Sequence, residues 1–198
     1  SFNLVIDGER SSEVQLKVAG RHMVNNALLA AGAGWALGLS AAEISRGLQG
    51  AQLTGGRLRR FEREGISIFD DTYNANPDSV RAAIGVVADV PALNGSSRTV
   101  VLGMMGELGR FAEEMHLQIG EHAARNQLQV ISVGVEAARI AEGAKRAGGS
   151  VVEHFDRYED AVNWLKGTLR PGDTVLFKGS RKAAVERVMN AVFPPTTN

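Results

Sequence analysis

The sequence after Gly56 alternates between short apolar segments and longer amphipathic ones, and this alternation limits the fold more than any other feature. The apolar segments are rich in β-branched residues, which is typical of strands buried on both faces of a sheet. The predicted strands are Ile66–Asp70, Arg98–Gly103, Val130–Gly134, Val151–Phe155 and Thr174–Lys178. The helices predicted to follow them are Pro77–Val90, Phe111–Asn126, Glu136–Ala147, Tyr158–Leu169 and Lys182–Phe193. Repeated strand–helix pairs predict an α/β fold with a doubly wound, mostly parallel sheet.

Residues 1–54 carry a different pattern and are predicted to belong to another domain, with the second domain covering residues 55–198. The predicted elements are the strands Phe2–Asp7 and Glu13–Val18, the turn Gly8–Ser12, and the helices His22–Leu39 and Ala41–Leu48. The first helix is nearly apolar all round, so we expect it to be buried. Ser40 and Glu43 form a capping box for the second helix. The glycine-containing break Gly50–Gly56 is the predicted boundary and hinge.

The composition excludes several functional classes. Lys plus Arg and Asp plus Glu number 22 each, so the chain lacks the basic excess of a nucleic-acid-binding domain. It contains no cysteine, which excludes disulfides and thiolate chemistry and fits a cytoplasmic protein. The longest apolar stretch, Ala27–Leu39, is shorter than the roughly 20 residues that a membrane span needs. The opening residues lack a signal-peptide pattern, and we expect the chain to be a piece of a longer protein.

Two polar loops follow predicted strands, at the edge where open α/β sheets bind their ligands. The loop Asp70–Asn76 holds two carboxylates, two amides, a hydroxyl and a phenol, which suit ribose hydroxyls or a hydrated Mg²⁺. An ordinary capped turn would also contain Asp and Asn. The loop Lys178–Arg181 combines cationic and hydroxyl donors with a helix start, which suits a carboxylate or phosphate. The alternative is a solvated basic turn.

A third loop, Gly103–Gly109, is rich in glycine, and Glu107 is its charged member. Its spacing is G-x-x-G-x-x-G rather than G-x-G-x-x-G, and no acidic residue ends the next strand, so an NAD-dependent oxidoreductase is disfavoured. The chain contains neither a G-x-x-x-x-G-K-[ST] phosphate loop nor a G-x-S-x-G elbow. His22 and Asn26 lie four residues apart on one helical face, where they suit either a base edge or simple packing. No metal site is predicted, and the other histidines are interpreted as structural or exposed.

Taken together, these segments resemble the Mur ligases, ATP-dependent amide-bond ligases of peptidoglycan synthesis. The segments that carry the resemblance are Gly20–Leu28, Gly56–Arg57, Asp70–Pro77, Val101–Gly109 with His116, and Lys178–Arg181. Asp70–Pro77 is close to the D-D-S-Y-N-A-N-P of the member that adds D-alanyl-D-alanine, and Lys178–Arg181 matches its K-G-S-R. Met23 and Met104 depart from the family pattern, which has Asn and Asp at these positions.

The resemblance implies a Rossmann-like C-terminal domain in residues 55–198, preceded in residues 1–54 by the end of a central ATP-binding domain. It implies an enzyme that uses ATP and Mg²⁺ to convert the carboxylate of UDP-N-acetylmuramoyl-tripeptide to an acyl phosphate, which D-alanyl-D-alanine then attacks. Such an enzyme serves cell-wall biogenesis, cell shape and cell division. The phosphate loop and most Mg²⁺ ligands would lie outside this chain, so the chain alone is expected to be inactive, cytoplasmic and monomeric.

The resemblance also implies roles for individual residues. The residues that would bind ATP are His22, Asn26, Arg57 and Asp71. The residues that would bind D-alanyl-D-alanine are Asn74, Glu107, Lys178, Ser180 and Arg181. No residue of this chain is assigned a catalytic role. Charge alone suggests that Arg181 meets the dipeptide carboxylate. The alternative is a non-catalytic Rossmann-type module that binds a nucleotide or a dipeptide.

Overall fold

The computed structural model describes residues 1–16, 21–51, 55–91 and 95–195, except for the side chains of residues 9–12, 21 and 22. The chain divides into two compact units, Ser1–Thr54 and Gly55–Asn198. Residues 52–54, within the predicted boundary segment, lie outside the described residues. None of the described helices is long and apolar enough to cross a membrane.

The first unit contains an antiparallel hairpin and two helices. Its elements are β1 (Phe2–Ile6), β2 (Glu9–Val14), α1 (Arg21–Ala36) and α2 (Ala41–Gly50). Asp7 and Gly8 form the turn with φ of 50° and 78°, as expected of the two-residue turns that match strand twist. The predicted five-residue turn and the predicted strand start at Glu13 are therefore wrong, because the Asp-Gly turn lets β2 begin at Glu9. The last two residues of the predicted strand, 17 and 18, lie outside the described residues. The predicted capping box of Ser40 and Glu43 is present.

Helix α1 ends at Ala36, three residues before the predicted end. Gly38 has φ of 85°, and the Leu39 N–H donates to the Gly34 carbonyl 3.1 Å away, which is a glycine-terminated helix end. The prediction that α1 is buried all round is also wrong. Ala31 is buried, but Leu29 is 76% exposed and Trp35 is 48% exposed. A two-stranded hairpin and one short helix are too small to cover every side of a 16-residue helix.

The second unit is a six-stranded sheet with helices on both faces, which confirms the predicted doubly wound, mostly parallel fold. Its strands are β3 (Arg59–Arg63), β4 (Ile66–Asp71), β5 (Arg98–Leu102), β6 (Gln129–Val133), β7 (Val152–Phe155) and β8 (Thr174–Lys178). Its helices are α3 (Pro77–Ala88), α4 (Ala112–Arg125), α5 (Ala138–Arg146), α6 (Tyr158–Thr168) and α7 (Glu186–Val192). The strand order is β3-β4-β8-β5-β6-β7, and only β3 pairs antiparallel.

Strand β3 was not predicted because its sequence, R-R-F-E-R, is charged at four of five positions. It lies at the edge of the sheet, where charged side chains discourage pairing with other chains. The two-residue turn Glu64–Gly65, with φ of 52° and 73°, joins it to β4. A second Xaa-Gly turn of this kind was the signal in the sequence that identifies a hairpin here.

The core lies on both faces of the sheet because alternate strand residues point to opposite sides. Val100 and Leu102 of β5 pack with residues of α3, α4 and α5. Val101, between them, packs on the other face with residues of α6 and α7. All three are at most 1% exposed, as expected of central parallel strands.

The chain after β8 does not form the predicted continuous helix Lys182–Phe193. A 3-10 turn over Arg181–Ala183 is followed by Ala184 in the left-handed region, with φ of 44°, and α7 begins only at Glu186. The break places Ala183 and Val185 beneath the ends of β5 and β8, where they fill space left by two glycines.

Helices α4 and α5 pack with their backbones in contact. A Cβ atom added at Gly120 would lie 1.8 Å from the Ile140 carbonyl oxygen, and one added at Gly143 would lie 2.0 Å from the Leu117 oxygen. Neither position accommodates a side chain without separation of the helices. This pair of glycines therefore sets the distance between α4 and α5, and α4 carries a residue that holds the site described next.

Candidate functional site

The three loops selected from the sequence follow strands β4, β8 and β5, which are neighbours in the sheet. Lys178 is the register partner of both Asp71 on β4 and Leu102 on β5. Because parallel strands end at the same edge, the loops Asp70–Asn76, Lys178–Arg181 and Gly103–Gly109 begin side by side. The structure thus brings together the predicted residues of the second unit around the end of β8.

The buried centre of this site is an ion pair between Lys178 and Asp71. The Lys178 Nζ lies 2.6 Å from Asp71 Oδ2 and donates a second hydrogen bond to the Asn74 carbonyl oxygen at 3.0 Å. The Lys178 side chain is 2% exposed. Burial lowers the pKa of Lys178 below its usual value, and the charge of Arg57 adds to this, although Asp71 acts in the opposite direction. An ammonium group has three donors, so one remains for a ligand.

Asp71 also anchors the segment that enters β3. Its Oδ1 accepts a hydrogen bond from the Leu58 N–H at 2.9 Å. The Tyr73 N–H donates to the Gly56 carbonyl at 2.9 Å, and a Cβ atom at Gly56 would lie 2.9 Å from the Tyr73 nitrogen. Gly56 has φ of 76°, so glycine is needed here for both space and backbone conformation. Both oxygens of Asp71, which was predicted to bind ribose, already accept hydrogen bonds within the protein.

The neighbouring carboxylate, Asp70, shapes the loop and was not among the predicted site residues. Its Oδ1 accepts hydrogen bonds from the Thr72 hydroxyl at 2.8 Å and from the Thr72 N–H at 3.3 Å, and its Oδ2 lies 3.4 Å from Arg59. Asp70 is buried. Consecutive strand residues point to opposite faces, so Asp70 and Asp71 serve different contacts. The Asp-x-Thr spacing was the sequence signal for this turn.

Arg57, in the segment before β3, and Asn74, in the loop after β4, are both exposed. The Arg57 guanidinium is stacked over the Tyr73 ring, 4.6 Å from its centroid, and Tyr73 is 45% exposed. The Asn74 side-chain oxygen accepts a hydrogen bond from the Ala75 N–H at 2.9 Å, while its backbone carbonyl receives Lys178. The arrangement leaves a cation and an aromatic ring at the surface above the buried ion pair.

The loop after β5 is joined to the loop after β8 through backbone hydrogen bonds. The Gly103 N–H donates to the Lys178 carbonyl, and the Ser180 N–H donates to the Met104 carbonyl, both at 2.9 Å. Added Cβ atoms at Gly103 and Gly179 would each lie 2.5 Å from the Val185 side chain. Packing against Val185 therefore favours glycine at both strand ends.

His116 of α4 makes a hydrogen bond to the loop that follows β5, Gly103–Gly109, which is called the β5 loop below. Its Nε2 accepts a hydrogen bond from the Met105 N–H at 2.8 Å, so Nδ1 carries the proton and donates to the Ala112 carbonyl at 2.6 Å. The residue is 3% exposed. This geometry agrees with the structural interpretation of His116, and it fixes the position of the loop that carries Glu107.

The exposure of the remaining site residues differs among Ser180, Glu107 and Arg181. Ser180 is buried, and its hydroxyl has no hydrogen-bond partner among the described residues. A Cβ atom added at Gly106 would lie 3.6 Å from the Ser180 Cβ, so the β5 loop covers this hydroxyl. Glu107 is exposed and has φ of 62°. The Arg181 side chain is 73% exposed and forms an ion pair with Glu186 at 3.0 Å. Lys178 and Ser180 thus form the buried part of the site, and Glu107 and Arg181 are at its surface.

The remaining predicted residues belong to the first unit. Asn26 is exposed on α1, where its amide is 3.9 Å from the Met23 sulfur. The side chain of His22 lies outside what the structure describes. Among the described residues, no group of three or more His, Cys, Asp or Glu side chains is placed to hold a metal ion.

Comparisons with known proteins identify similar sequences and structures. A family model described as "Mur ligase, glutamate ligase domain" matches residues 56–181. The chain is 36% identical over 186 residues to the UDP-N-acetylmuramoyl-tripeptide–D-alanyl-D-alanine ligase of Escherichia coli, covering 92% of this chain and 39% of that protein. The corresponding Bacillus subtilis ligase is 33% identical over 177 residues, covering 88% of this chain and 38% of that protein.

The fold is also similar to that of a solved structure. The crystal structure of MurF from Acinetobacter baumannii superposes with a TM-score of 0.79 at 34% identity, covering 92% of this chain and 40% of that one. The chain therefore spans about two fifths of the length of the relatives that it matches.

Proposed function

The chain belongs to the Mur ligase family, and from this premise we propose that it is part of an ATP-dependent ligase that adds D-alanyl-D-alanine to UDP-N-acetylmuramoyl-tripeptide. The observation that carries the proposal is the 36% identity to a ligase of that name over nearly the whole chain. The reaction would form one amide bond and release phosphate, as part of peptidoglycan synthesis. In this proposal Gly55–Asn198 is the C-terminal domain, and Ser1–Thr54 is the end of the central ATP-binding domain.

The buried part of the site suits the amine substrate. We assign Lys178, Ser180 and Asn74 to the dipeptide, with Glu107 and Arg181 at the exposed edge. The unpartnered Ser180 hydroxyl and the third N–H of Lys178 are donors that a peptide carbonyl or carboxylate would satisfy. Arg181 supplies a full positive charge for the dipeptide carboxylate once its ion pair with Glu186 exchanges for the substrate. These residues bind and orient the substrate, and none of them is assigned a covalent step.

The nucleotide is assigned to the exposed side of the β4 loop and to the first unit. Arg57 is the residue that would contact the ATP phosphates, because its guanidinium is exposed and lies above Tyr73. Asn26, with His22, would contact adenine. We assign Asp71 to the ribose through Oδ2 or Oδ1 in exchange for one of its present contacts. Mg²⁺ would neutralise phosphate charge, and its ligands are proposed to lie mostly in the part of the enzyme beyond these residues.

In this proposal the loops assigned to the amine and to the nucleotide follow neighbouring strands, and acyl-phosphate chemistry needs the two substrates close together. The attacking amine has to reach the acyl phosphate while water is kept out, because water would hydrolyse that intermediate. Residues on one rigid sheet edge hold the amine in a fixed orientation. We further propose that the enzyme is a monomer and acts in the cytoplasm, a location that the absence of cysteine from this chain fits.

The test is phosphate release by the enzyme at the full length of its relatives. The reaction contains ATP, Mg²⁺ and UDP-N-acetylmuramoyl-tripeptide, with D-alanyl-D-alanine, D-alanine or no amine. Phosphate release that requires the dipeptide supports the proposal. The present chain serves as the matched control, and it is expected to release no phosphate.

Release with a single amino acid instead of the dipeptide would assign the enzyme to another acceptor. Absence of release with any amine, combined with saturable binding of dipeptide or nucleotide, would support the alternative of a non-catalytic binding module.

A further inference from the structure

The first residue of α6, Tyr158, donates a hydrogen bond from its hydroxyl to the carbonyl of Ala183, in the 3-10 turn that begins at Arg181. We propose that Tyr158 is a positioning residue for the amine substrate. Its hydroxyl fixes the turn Arg181–Ala183, and through that turn it fixes the guanidinium that meets the dipeptide carboxylate. This inference rests on the proposed function, because it takes Arg181 as the residue that binds that carboxylate.

The short segment between β8 and α7 is held at both ends. At its start the Ser180 N–H donates to the Met104 carbonyl at 2.9 Å, and at its end the Ala183 carbonyl accepts from the Tyr158 hydroxyl. Arg181 lies between these two contacts, and its side chain is 73% exposed. An exposed arginine has many rotamers, so a fixed backbone limits where its guanidinium can bind a ligand.

The conformation that follows this turn needs outside contacts to maintain it. Ala184 has φ of 44°, a left-handed conformation that is unfavourable for a residue other than glycine and persists only where neighbouring contacts enforce it. The Arg187 N–H donates to the Ala184 carbonyl at 3.0 Å, so the hydrogen bonds of α7 begin beyond Ala183. The Tyr158 hydroxyl is therefore the partner that the Ala183 carbonyl has in place of a helix N–H.

The Tyr158 ring is fixed independently of its hydroxyl. The Arg187 Cζ lies 5.5 Å from the ring centroid, and a Cβ atom added at Gly134 would lie 3.8 Å from a ring carbon. The ring is also partly buried against the core cluster that contains Val185 and Met189. Phenylalanine would keep these contacts, so Tyr158→Phe removes the hydrogen bond alone.

The hydroxyl remains a donor throughout the neutral pH range. Burial raises the pKa of Tyr158 above its ordinary value of 10.0. The charge of Arg187 opposes this shift, and the charges of Glu136 and Glu186 add to it. The contact with Ala183 is therefore expected to persist at any pH at which the ligase would act.

A purely structural role for the hydroxyl is the alternative, because it joins α6 to the chain before α7. That role predicts no selective effect on the dipeptide. Thr99 supplies a matched control, since its buried side chain donates to the Gln129 Oε1 at 3.1 Å. Thr99→Val also removes one hydroxyl hydrogen bond, but near the start of β5, whereas the site follows the end of that strand.

The experiment measures dipeptide-dependent phosphate release by the full-length enzyme with and without Tyr158→Phe. We expect kcat/KM for D-alanyl-D-alanine to fall at least about fivefold, with kcat and the KM for ATP changed less than about twofold. In an Arg181→Ala background the same substitution should lower kcat/KM by less than about twofold, because Tyr158 acts through Arg181. Thr99→Val should change these constants by less than about twofold. If Tyr158→Phe fails to fold, judged by circular dichroism, Tyr158→Met, which also lacks the hydroxyl, takes its place.

Hydrogen–deuterium exchange of the same enzyme tests the contact itself. Exchange in residues 181–184 should become at least about threefold faster in Tyr158→Phe, and it should stay nearly unchanged in Thr99→Val.

Three results would overturn the inference while leaving the proposed function intact. One is an unchanged kcat/KM in Tyr158→Phe, and another is unchanged exchange in residues 181–184. The third is an equal fall of kcat/KM in Thr99→Val or in the Arg181→Ala background, which would show that the hydroxyl acts on the fold as a whole. Absence of dipeptide-dependent release by the unsubstituted enzyme would instead overturn the proposed function, together with the assignment of Arg181 on which this inference rests.

Discussion

The ammonium group of Lys178 lies 2.6 Å from the carboxylate of Asp71, across 107 residues of sequence. The sequence assigned these residues to two different ligands, the dipeptide and the nucleotide. In the structure they neutralise each other and join the β4 and β8 loops. A ligand that binds to either residue must therefore change the hydrogen bond and the ion pair between them.

Replacing Asp71 should destabilise the chain, because its carboxylate is the counter-charge of the buried Lys178 ammonium. Asp71→Asn keeps the acceptor for the Leu58 N–H but leaves the buried ammonium of Lys178 without a counter-charge, and we expect a loss of about 3 kcal/mol. Urea unfolding measures this, and Asp89→Asn, at an exposed position, should change stability by less than about 0.5 kcal/mol. Lys178→Met in the Asp71→Asn background should restore part of the loss. A loss below about 1 kcal/mol for Asp71→Asn would show that the pair is not the buried centre of the site.

His116→Phe should loosen the β5 loop without unfolding the sheet. The Met105 N–H would lose its buried acceptor, at a cost of about 2 kcal/mol. Amide hydrogen exchange at Met105 should become faster, while exchange at Val100 in the centre of β5 should follow only the change in global stability. Unchanged protection at Met105 would mean that another group holds this loop.

The stability of the chain should depend on His122 in mildly acidic solution. Burial lowers the pKa of His122 below 6.5, and the charges of Arg81 and Arg125 lower it further. Between 6.5 and the lower folded pKa the unfolded state binds more protons, so stability falls as the pH falls through this window. His122→Gln should reduce the loss of unfolding free energy between pH 7.5 and 5.5. Equal slopes for both proteins, or a measured His122 pKa of 6.5 or above, would contradict this.

Gly120→Ala should separate α4 from α5 and destabilise the chain by about 3 kcal/mol, because the added methyl group would overlap the Ile140 carbonyl. Gly85→Ala is the matched control. Gly85 lies in the interior of α3 with nothing within 4 Å of an added Cβ atom, so alanine should stabilise by about 0.5–1 kcal/mol. Thermal and urea unfolding of both variants test the expectation. Similar effects of the two substitutions would disprove the backbone contact.

Arg57→Ala should lower the turnover of the full-length ligase by roughly a hundredfold or more while leaving the fold intact. Arg57 is exposed, so its loss leaves no buried gap, but it is the proposed contact to the ATP phosphates. Arg60→Ala removes a neighbouring charge and should leave turnover nearly unchanged. Dipeptide-dependent phosphate release measures both, and an Arg57→Ala enzyme with full turnover would remove this residue from the nucleotide site.

Four of the five parallel strands, β4, β5, β6 and β8, were predictable because they are mostly apolar runs that are largely buried. The bounds of all five differ from the prediction by at most one residue at either end. The two strands that were missed or misplaced, β2 and β3, have polar sequences. Their positions are set by the two-residue turns Asp7–Gly8 and Glu64–Gly65, which carry little hydrophobic signal.

The loops of the site could be located from the sequence, but their contacts could not. Strand order decides that β8 lies between β4 and β5, and no local pattern encodes that order. The Lys178–Asp71 pair follows from it. Burial of the Ser180 hydroxyl also depends on how closely the β5 loop crosses it.

The space around three glycines of the site determines which of these positions can be varied in a directed-evolution library. At Gly103 and Gly179 any side chain would meet Val185, so randomising these codons would mostly yield misfolded clones. At Gly106 an added methyl group would be in ordinary contact with Ser180, so this codon tolerates diversity directly above the buried hydroxyl. A search for variants that accept a different amine should therefore keep the sheet edge constant and sample position 106 first.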